Sequence, residues 1–538
     1  MNKHFQDRDI KDIKNASIDK GKRGIKSVVF GRTAVLLFCF ALQLLLLFLG
    51  MTRLAQYVYV FFGGYFLFGL LVLLIILNRT ENPAFQLAWA SLVLLFPLFG
   101  GLFYLYIELQ PGTALLDARV AELDEETADT LKQDAEVLRE LNEIDCHTAQ
   151  LANYVRKNGY PIYRNVQVKY FPSGETKYEE LLRQLKMAEK FIFLEYFIIA
   201  EGHMWDSILE ILEQKVKEGV EVRLMYDGTN EMFYLPHEYV DKLRGMGIHC
   251  KIFSPVTPIF STHYNNRDHR KIVVIDGRIA FTGGVNLADE YINYKERFGH
   301  WKDAAIMVEG EAVKSFTLMF LKMWAISDKA ENMAIYLRTP APGADVVRAG
   351  ECEGAQGGFI MPYAEHPFAQ NRTAKRIYLD ILNTATRYVH IMTPYLVPDY
   401  ELSQALIYAA RRGVDVKLLL PHIPDKKYAF ALAHSYYKRL ISAGVKIYEY
   451  TPGFVHSKVF VSDDIRAVVG AINLDFRSLY LHFECAAFLY GVSEISEIEN
   501  DFRATLPKCQ LITMFDVRHD KLTRKVAGQL MRLVAPLM

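Results

Sequence analysis

Cysteine is scarce in this chain. Six are spread over 538 residues (Cys39, Cys146, Cys250, Cys352, Cys485 and Cys509), with no Cys-x-x-Cys pair, which argues against a zinc or disulfide framework. An excess of one charge is also missing. Lys and Arg number 62, Asp and Glu 62, and formal net charge is zero. A dedicated nucleic-acid binder carries a strong basic excess, so no nucleic-acid partner is expected. No carboxylate-rich metal cage is evident, and the chemistry is expected to need no metal or cofactor. Finally, charged side chains are absent from three runs, residues 34–49, 57–77 and 84–107.

Those runs set the first expectation. A hydrocarbon core about 30 Å thick takes roughly 20 apolar residues to cross; the second and third runs are long enough, and the first can use its flanks. Residues 33–110 are therefore expected to be transmembrane segments of a multi-pass, membrane-embedded protein. They follow a polar tail, residues 1–32, with nine Lys/Arg and four Asp/Glu, which the positive-inside tendency places in the cytoplasm. Pro97, Gly100 and Gly101 let the third run bend, so two spans and three both remain open, and with them the side on which the body lies.

The rest of the chain is organised around a repeat. "DHRKIVVIDG" (268–277) alternates His269 and Lys271 before an apolar run that stops at Asp276, the pattern of a strand with two polar side chains on one face. "HSKVFVSDD" repeats it with His456, Lys458 and Asp463. Downstream, "GGVN" with Asn286 answers to "GAIN" with Asn473. Each of these residues stands 187 positions from its counterpart. Upstream, both copies read helix, apolar strand, helix, Gly-containing turn, apolar strand, an alternation that predicts mostly parallel strands covered on both faces. The domains expected are a helical connector (111–165), a first lobe (166–338), a Pro/Gly-rich linker (339–358), a second lobe (359–512) and an amphipathic C-terminal helix (513–538). Pseudo-twofold packing would bring the two His-x-Lys strands to one cleft.

Two His, two Lys and two Asn make a donor set for phosphate oxygens. Lys271, Lys458, Asn286 and Asn473 would stabilise charge. One imidazole can attack phosphorus while the other gives and takes a proton. Each imidazole needs a group to orient its other nitrogen. Glu484 in "LHFECAAF" and Asp303 in "GHWKDAAIMVEG" are the candidates, because a charge on an apolar strand is costly unless paired. Asp276 and Asp463 complete the motif set but are expected to hold a turn or a lobe contact. In the C-terminal "DKLTRKVAGQLMRLVAPLM", Leu522, Val526, Leu530 and Val534 fall at four-residue spacing beside Lys521, Arg524, Lys525 and Arg532. Such a helix suits an anionic lipid surface or the flank of the second lobe equally.

The paired His-x-Lys-x-x-x-x-Asp elements resemble the phospholipase D superfamily. With "HWKDAAIMVEG", "GAINLDFRSLYLHFE" and the membrane-proximal "NPAFQLAWASLVLLFPLFGGLFYLYI", the chain is similar more narrowly to bacterial cardiolipin synthases, from about residue 82 onward. That resemblance implies an α/β fold of two pseudo-symmetric phospholipase D-type lobes, each a mixed sheet flanked by helices, after an N-terminal helical transmembrane region. It implies joining of two phosphatidylglycerol molecules into cardiolipin with release of glycerol, membrane lipids as partners, His269 as nucleophile and His456 as acid/base. Ala471 departs from the pattern where a hydroxyl residue is common. A phosphodiester hydrolase of the same superfamily and a silent membrane scaffold are the alternatives, and no residue pattern reports the oligomeric state.

Overall fold

In a computed structural model the chain is described at residues 32–52, 58–79, 82–109, 111–164, 166–236, 238–255, 266–327, 332–337 and 357–537. The basic tail up to residue 31 and residues 339–356 of the expected linker lie outside the described residues. The described residues form two compact units, one reaching Ala114 and one that carries both lobes, Leu115–Pro255 and residues 266–536.

The first unit corrects the sequence reading. Among the described residues no helix is long and apolar enough to cross a membrane, so the expected transmembrane region and multi-pass location are without support. Charge-free length in a sequence is not helix length in a fold. The third run is two short helices, Pro83–Leu95 and Pro97–Glu108, because Phe96 leaves helical geometry just before Pro97, as a residue preceding proline tends to do. The helix Arg32–Thr52 carries Gln43 in its interior, and its side-chain oxygen accepts from Phe99 N at 2.9 Å. Val58–Leu77 forms the remaining helix. Val72, Ile76, Trp89, Val93 and Tyr104 make the small core of this unit.

The second unit contains the repeat as two sheets of matching topology. The first-lobe sheet runs Gln167–Phe171, Ala305–Glu309, Ile279–Gly283, Lys271–Ile275, Phe191–Tyr196, Glu221–Asp227 and His249–Phe253. The second-lobe sheet runs Phe359–Glu365, Glu484–Tyr490, Arg466–Gly470, Val459–Ser462, Tyr388–Met392, Asp415–Pro421 and Lys446–Tyr450, with Tyr163–Arg164 and Cys509–Ile512 added at its edges. Only the last three strands of each seven are mutually parallel. The others are antiparallel, so the expectation of mostly parallel strands does not hold. The reason is local. Asp276 and Gly277 both take positive φ, 55° and 65°, the geometry of a tight hairpin turn, and they return the His269 strand antiparallel on itself. Asp463 and Asp464, at 55° and 60°, do the same in the second lobe.

The apolar run after each His-x-Lys is buried on both faces. Ile272 and Val274 point into a cluster shared with Val459, Val461, Val469, Phe483 and Cys485 of the other lobe, while Val273 and Ile275 pack inside the first lobe with Trp205, Leu212 and Leu224. The lobes are thus joined by one continuous core. Thr282 Oγ1 lies 3.4 Å from Cys485 Sγ across it, and Lys302 and Tyr170 of the first lobe each donate to Asp501 Oδ2 of the second at 2.7 Å. The helix Leu522–Val534 packs on Lys427–Ser442, where a side chain at Gly528 would collide with Ala431 O, and its stripe of Leu522, Val526 and Leu530 is 74, 51 and 60% exposed.

Asp276 and Asp463 end their strands as staples. Asp276 accepts from the backbone N–H of Glu189, Lys190 and Phe191 at 2.7–2.9 Å. Asp463 accepts from Thr386, Arg387 and Tyr388 in the same way. Removing the carboxylate orphans several backbone donors, one of them on buried Phe191. Asp276→Ala should therefore lower stability by about 1–3 kcal/mol in urea unfolding, with activity falling only as the folded fraction does. An inactive Asp276→Ala protein with an unchanged unfolding midpoint would instead place this carboxylate in the chemistry.

Candidate active site

Each histidine is delivered to the cleft by a short strand that pairs with the opposite lobe. Asp268 bridges Phe483 in parallel, with His269 N donating to Phe483 O at 2.9 Å and Phe483 N to Arg267 O at 2.8 Å. In the other half Gly453–Val455 pairs in parallel with His300–Lys302, and His456 N donates to Lys302 O at 2.7 Å. The residue that follows each borrowed strand is the acid. His269 Nδ1 therefore meets Glu484 Oε1 of the second lobe at 2.8 Å, and His456 Nδ1 meets Asp303 Oδ2 of the first lobe at 2.7 Å. All four residues are buried. With Nδ1 committed to a carboxylate, Nε2 is the nitrogen left for chemistry on each ring.

The lysines fold back on the same strands. Lys271 Nζ donates to His269 O, and Lys458 Nζ to His456 O. That leaves N–H donors on each ammonium, in a site where His269 feels the charges of Lys271, Lys458 and His456 together. Burial, then Lys458, holds His456 down at about 4. Burial, then Lys271, holds His269 well below the ordinary histidine range. Lys458 is lowered to about 7 and Lys271 to about 8, burial being the main cause for both. The two acids differ. Burial pushes Glu484 up, and Lys271 offsets this only in part. Burial also pushes Asp303 up, but His456, Lys458 and the Ala304 N–H outweigh it and hold the carboxyl low. A site with two neutral imidazoles and two marginally charged lysines is poised to take an anion.

The asparagines are not equivalent. Asn286 Oδ1 accepts from Ile198 N at 3.0 Å and its amide nitrogen donates to Tyr291 OH at 2.8 Å, so much of its capacity goes to holding the loop. Asn473 is buried with an Oδ1 that has no hydrogen-bond partner among the described residues. The surroundings differ as well. His456 is boxed by Tyr291, Trp301 and Phe454, with ring centroids at 5.4, 5.4 and 5.9 Å. His269 meets the edge of Phe197 at 5.0 Å and His482 at 5.5 Å.

His482 was missed by the sequence reading, although its alternation with Glu484 in "LHFE" was a usable signal. Ligand atoms of His269, His482 and Glu484 lie within 4.8 Å of one another. Also unforeseen are Tyr291, the partner of Asn286, and a buried charge cluster behind His269. There Asp268 N donates to Asp227 Oδ2 at 3.1 Å, and burial followed by Asp268 raises Glu195 well above its usual range. Gly283 and Gly284 are explained by close approach. Gly283 has φ 154° and lies against Ala304 and Ala305, and a Cβ at Gly284 would overlap Asp303 Oδ1 and stand 3.0 Å from His456 O.

Gly284→Ala should therefore displace Asp303 from His456. The expected result is a loss of stability of about 1–3 kcal/mol on thermal unfolding. The low-field imidazole proton of His456 should disappear from the NMR spectrum while that of His269 persists.

The family described as cardiolipin synthase, PLD-like domain, matches residues 181–324 and 378–506, one segment in each lobe, so that both His-x-Lys pairs, both asparagines and both acids fall inside it. A protein of undescribed activity from Streptococcus mutans serotype c is 49% identical over 86% of this chain and 99% of its own length. A cardiolipin synthase of Geobacillus kaustophilus is 33% identical over 87% of this chain and 91% of its own. Among solved structures, the phosphatidylserine synthase of Haemophilus influenzae shares the fold, with a TM-score of 0.54 and 14% identity over 74% of this chain and 98% of that one.

Proposed function

The chain belongs to the cardiolipin synthase family of phospholipase D-like phosphatidyltransferases, and from that premise we propose that it joins two phosphatidylglycerol molecules into cardiolipin and releases glycerol. The observation that carries the reading is the pair of reciprocal His–carboxylate contacts, each with a lysine, set in one buried site. It supplies a nucleophile, a proton carrier and charge stabilisation with no further group required.

In the first step His269 Nε2 attacks the phosphorus of one phosphatidylglycerol. The P–N bond forms as the bond to the glycerol oxygen breaks, and His456 Nε2 gives that oxygen its proton. The bound phosphodiester supplies the negative charge that raises His456 from about 4 and lets it carry the proton. In the second step the free hydroxyl of another phosphatidylglycerol loses its proton to His456 and attacks phosphorus, breaking the P–N bond. Lys271, Lys458 and the side-chain amide N–H of Asn473 donate to the phosphoryl oxygens, while Asn286 acts chiefly through its loop and Tyr291. Asp303 is the stronger anion of the two acids, which suits a partner for the imidazolium at His456 and favours His269 as the nucleophile. Both substrates stay in a bilayer, so the protein works at a lipid surface, and the exposed stripe of the C-terminal helix beside Arg518, Lys521 and Lys525 suits such a surface.

The pH dependence follows from the lysines. They must be protonated to bind phosphate and are lowered to about 7 and about 8, so kcat/KM, which already declines above about 4 where free His456 loses its proton, should fall more steeply as pH rises through that interval. In kcat the same limb should move to higher pH, because bound phosphate favours the charged lysine. No acidic loss should occur near the usual histidine value, since His269 is held well below it.

The decisive assay uses the full chain in mixed micelles with phosphatidylglycerol as the only lipid and no added metal or nucleotide, with products followed by mass spectrometry. Cardiolipin and free glycerol are expected, and both His269→Ala and His456→Ala should abolish them. Phosphatidic acid as the main product would make the protein a hydrolase.

A further inference from the structure

Beside the His269–Glu484 pair lies a basic cluster that the two steps above leave unused. His482 is only 6% exposed, yet neither ring nitrogen makes a hydrogen bond among the described residues. Its Nδ1 is 3.8 Å from Glu484 Oε1, and its ring lies 5.5 Å from that of His269. The Arg477 guanidinium forms no hydrogen bond or ion pair among the described residues, although Asp475 is near enough to feel its charge. The two are placed by one feature, a π-helical turn Arg477–Leu481 closed by His482 N donating to Arg477 O at 3.0 Å. Such turns are rare and concentrate at functional sites.

Buried polar groups without partners are costly, and unpaired charge more so. An anion would give both side chains a partner. Besides burial, the charges of Arg477, Lys271, Lys426 and Arg267 all hold the His482 imidazole below the ordinary range, with Glu484 as the carboxyl beside it. Asp475, just before the turn, accepts from Ser478 N at 2.8 Å. The same surroundings repel a divalent cation, although His269, His482 and Glu484 could otherwise ligate one.

We propose that Arg477 and His482 form an acceptor subsite, binding the phosphate that the second phosphatidylglycerol retains, so that its free glycerol hydroxyl reaches the phosphorus carried by His269. This rests on the transfer reading above. It makes the acceptor an anionic glycerophospholipid, selected over a neutral alcohol or water. The glycerol between the retained phosphate and the reacting hydroxyl spans a few bonds, a scale that fits neighbouring rings.

The test compares two reactions of the full chain in phosphatidylglycerol micelles. One is cardiolipin formation. The other is exchange of labelled glycerol into phosphatidylglycerol, which uses donor cleavage and its reversal but no second lipid. Arg477→Ala and His482→Gln, checked for unchanged thermal unfolding, should lower cardiolipin formation about tenfold or more. Glycerol exchange should stay near the wild-type rate, and Arg477→Lys should recover part of the synthesis. Equal losses in both reactions, or no loss in either, would overturn the subsite. Zinc bound by the wild type and lost in His482→Gln, with acceptor kinetics unchanged, would overturn it in favour of a metal site. If the wild type performs neither reaction, it is the transfer reading that fails.

Discussion

Everything in the active half of this molecule hangs on two hydrogen bonds that cross between lobes, His269 to Glu484 and His456 to Asp303. Neither lobe contains both members of either of these two pairs. The short parallel pairings at Asp268–Phe483 and Gly453–Val455 with His300–Lys302 carry each histidine to the other lobe's acid. The shared apolar core then fixes the distance. A close-packed interior moves in discrete steps rather than by continuous stretch, so the two pairs are assembled together by the same packing. That explains why the strands between motif His and motif Asp are apolar on both faces: they are inside a lobe on one side and inside the interface on the other.

Burial of this set has an electrostatic consequence. Four potential cations share one enclosed space with two carboxyls, and the imidazoles and ammoniums are all held below their usual ranges. The site is incomplete in charge until an anion enters. A phosphodiester is then both substrate and the group that restores ordinary protonation. Asp303, anchored by an extra backbone donor, and Glu484, flanked by His482, divide the apparent symmetry into unlike halves.

Much of this was legible from residues alone. The uniform spacing between the two copies anticipated the matching order of seven strands, and the polar residues it aligned all reach the cleft region or its supporting turns. The candidate acids were also readable, since a charge on an apolar strand demands a partner. Which histidine each acid serves was not readable, because the contacts join residues far apart in sequence and depend on how two lobes dock. The strand directions were misjudged because helix–strand alternation was weighed above the Asp276–Gly277 turn, whose positive φ values dictate a hairpin. The apolar N-terminal runs read as spans by their charge-free, apolar length, and the break at Pro97 reads as a bend, whereas it ends one helix and starts another. His482 escaped notice because it has no counterpart in the repeat.

The crossed supply of acids also bears on how such a chain can change over time. Two identical subunits related by a true twofold axis would have to alter both halves with every substitution. A single chain that keeps the crossed arrangement is free of that restriction: an aromatic box can collect around His456 while a basic turn grows beside His269. Covalent union of the halves thus permits the two histidines to keep unlike surroundings within one cleft.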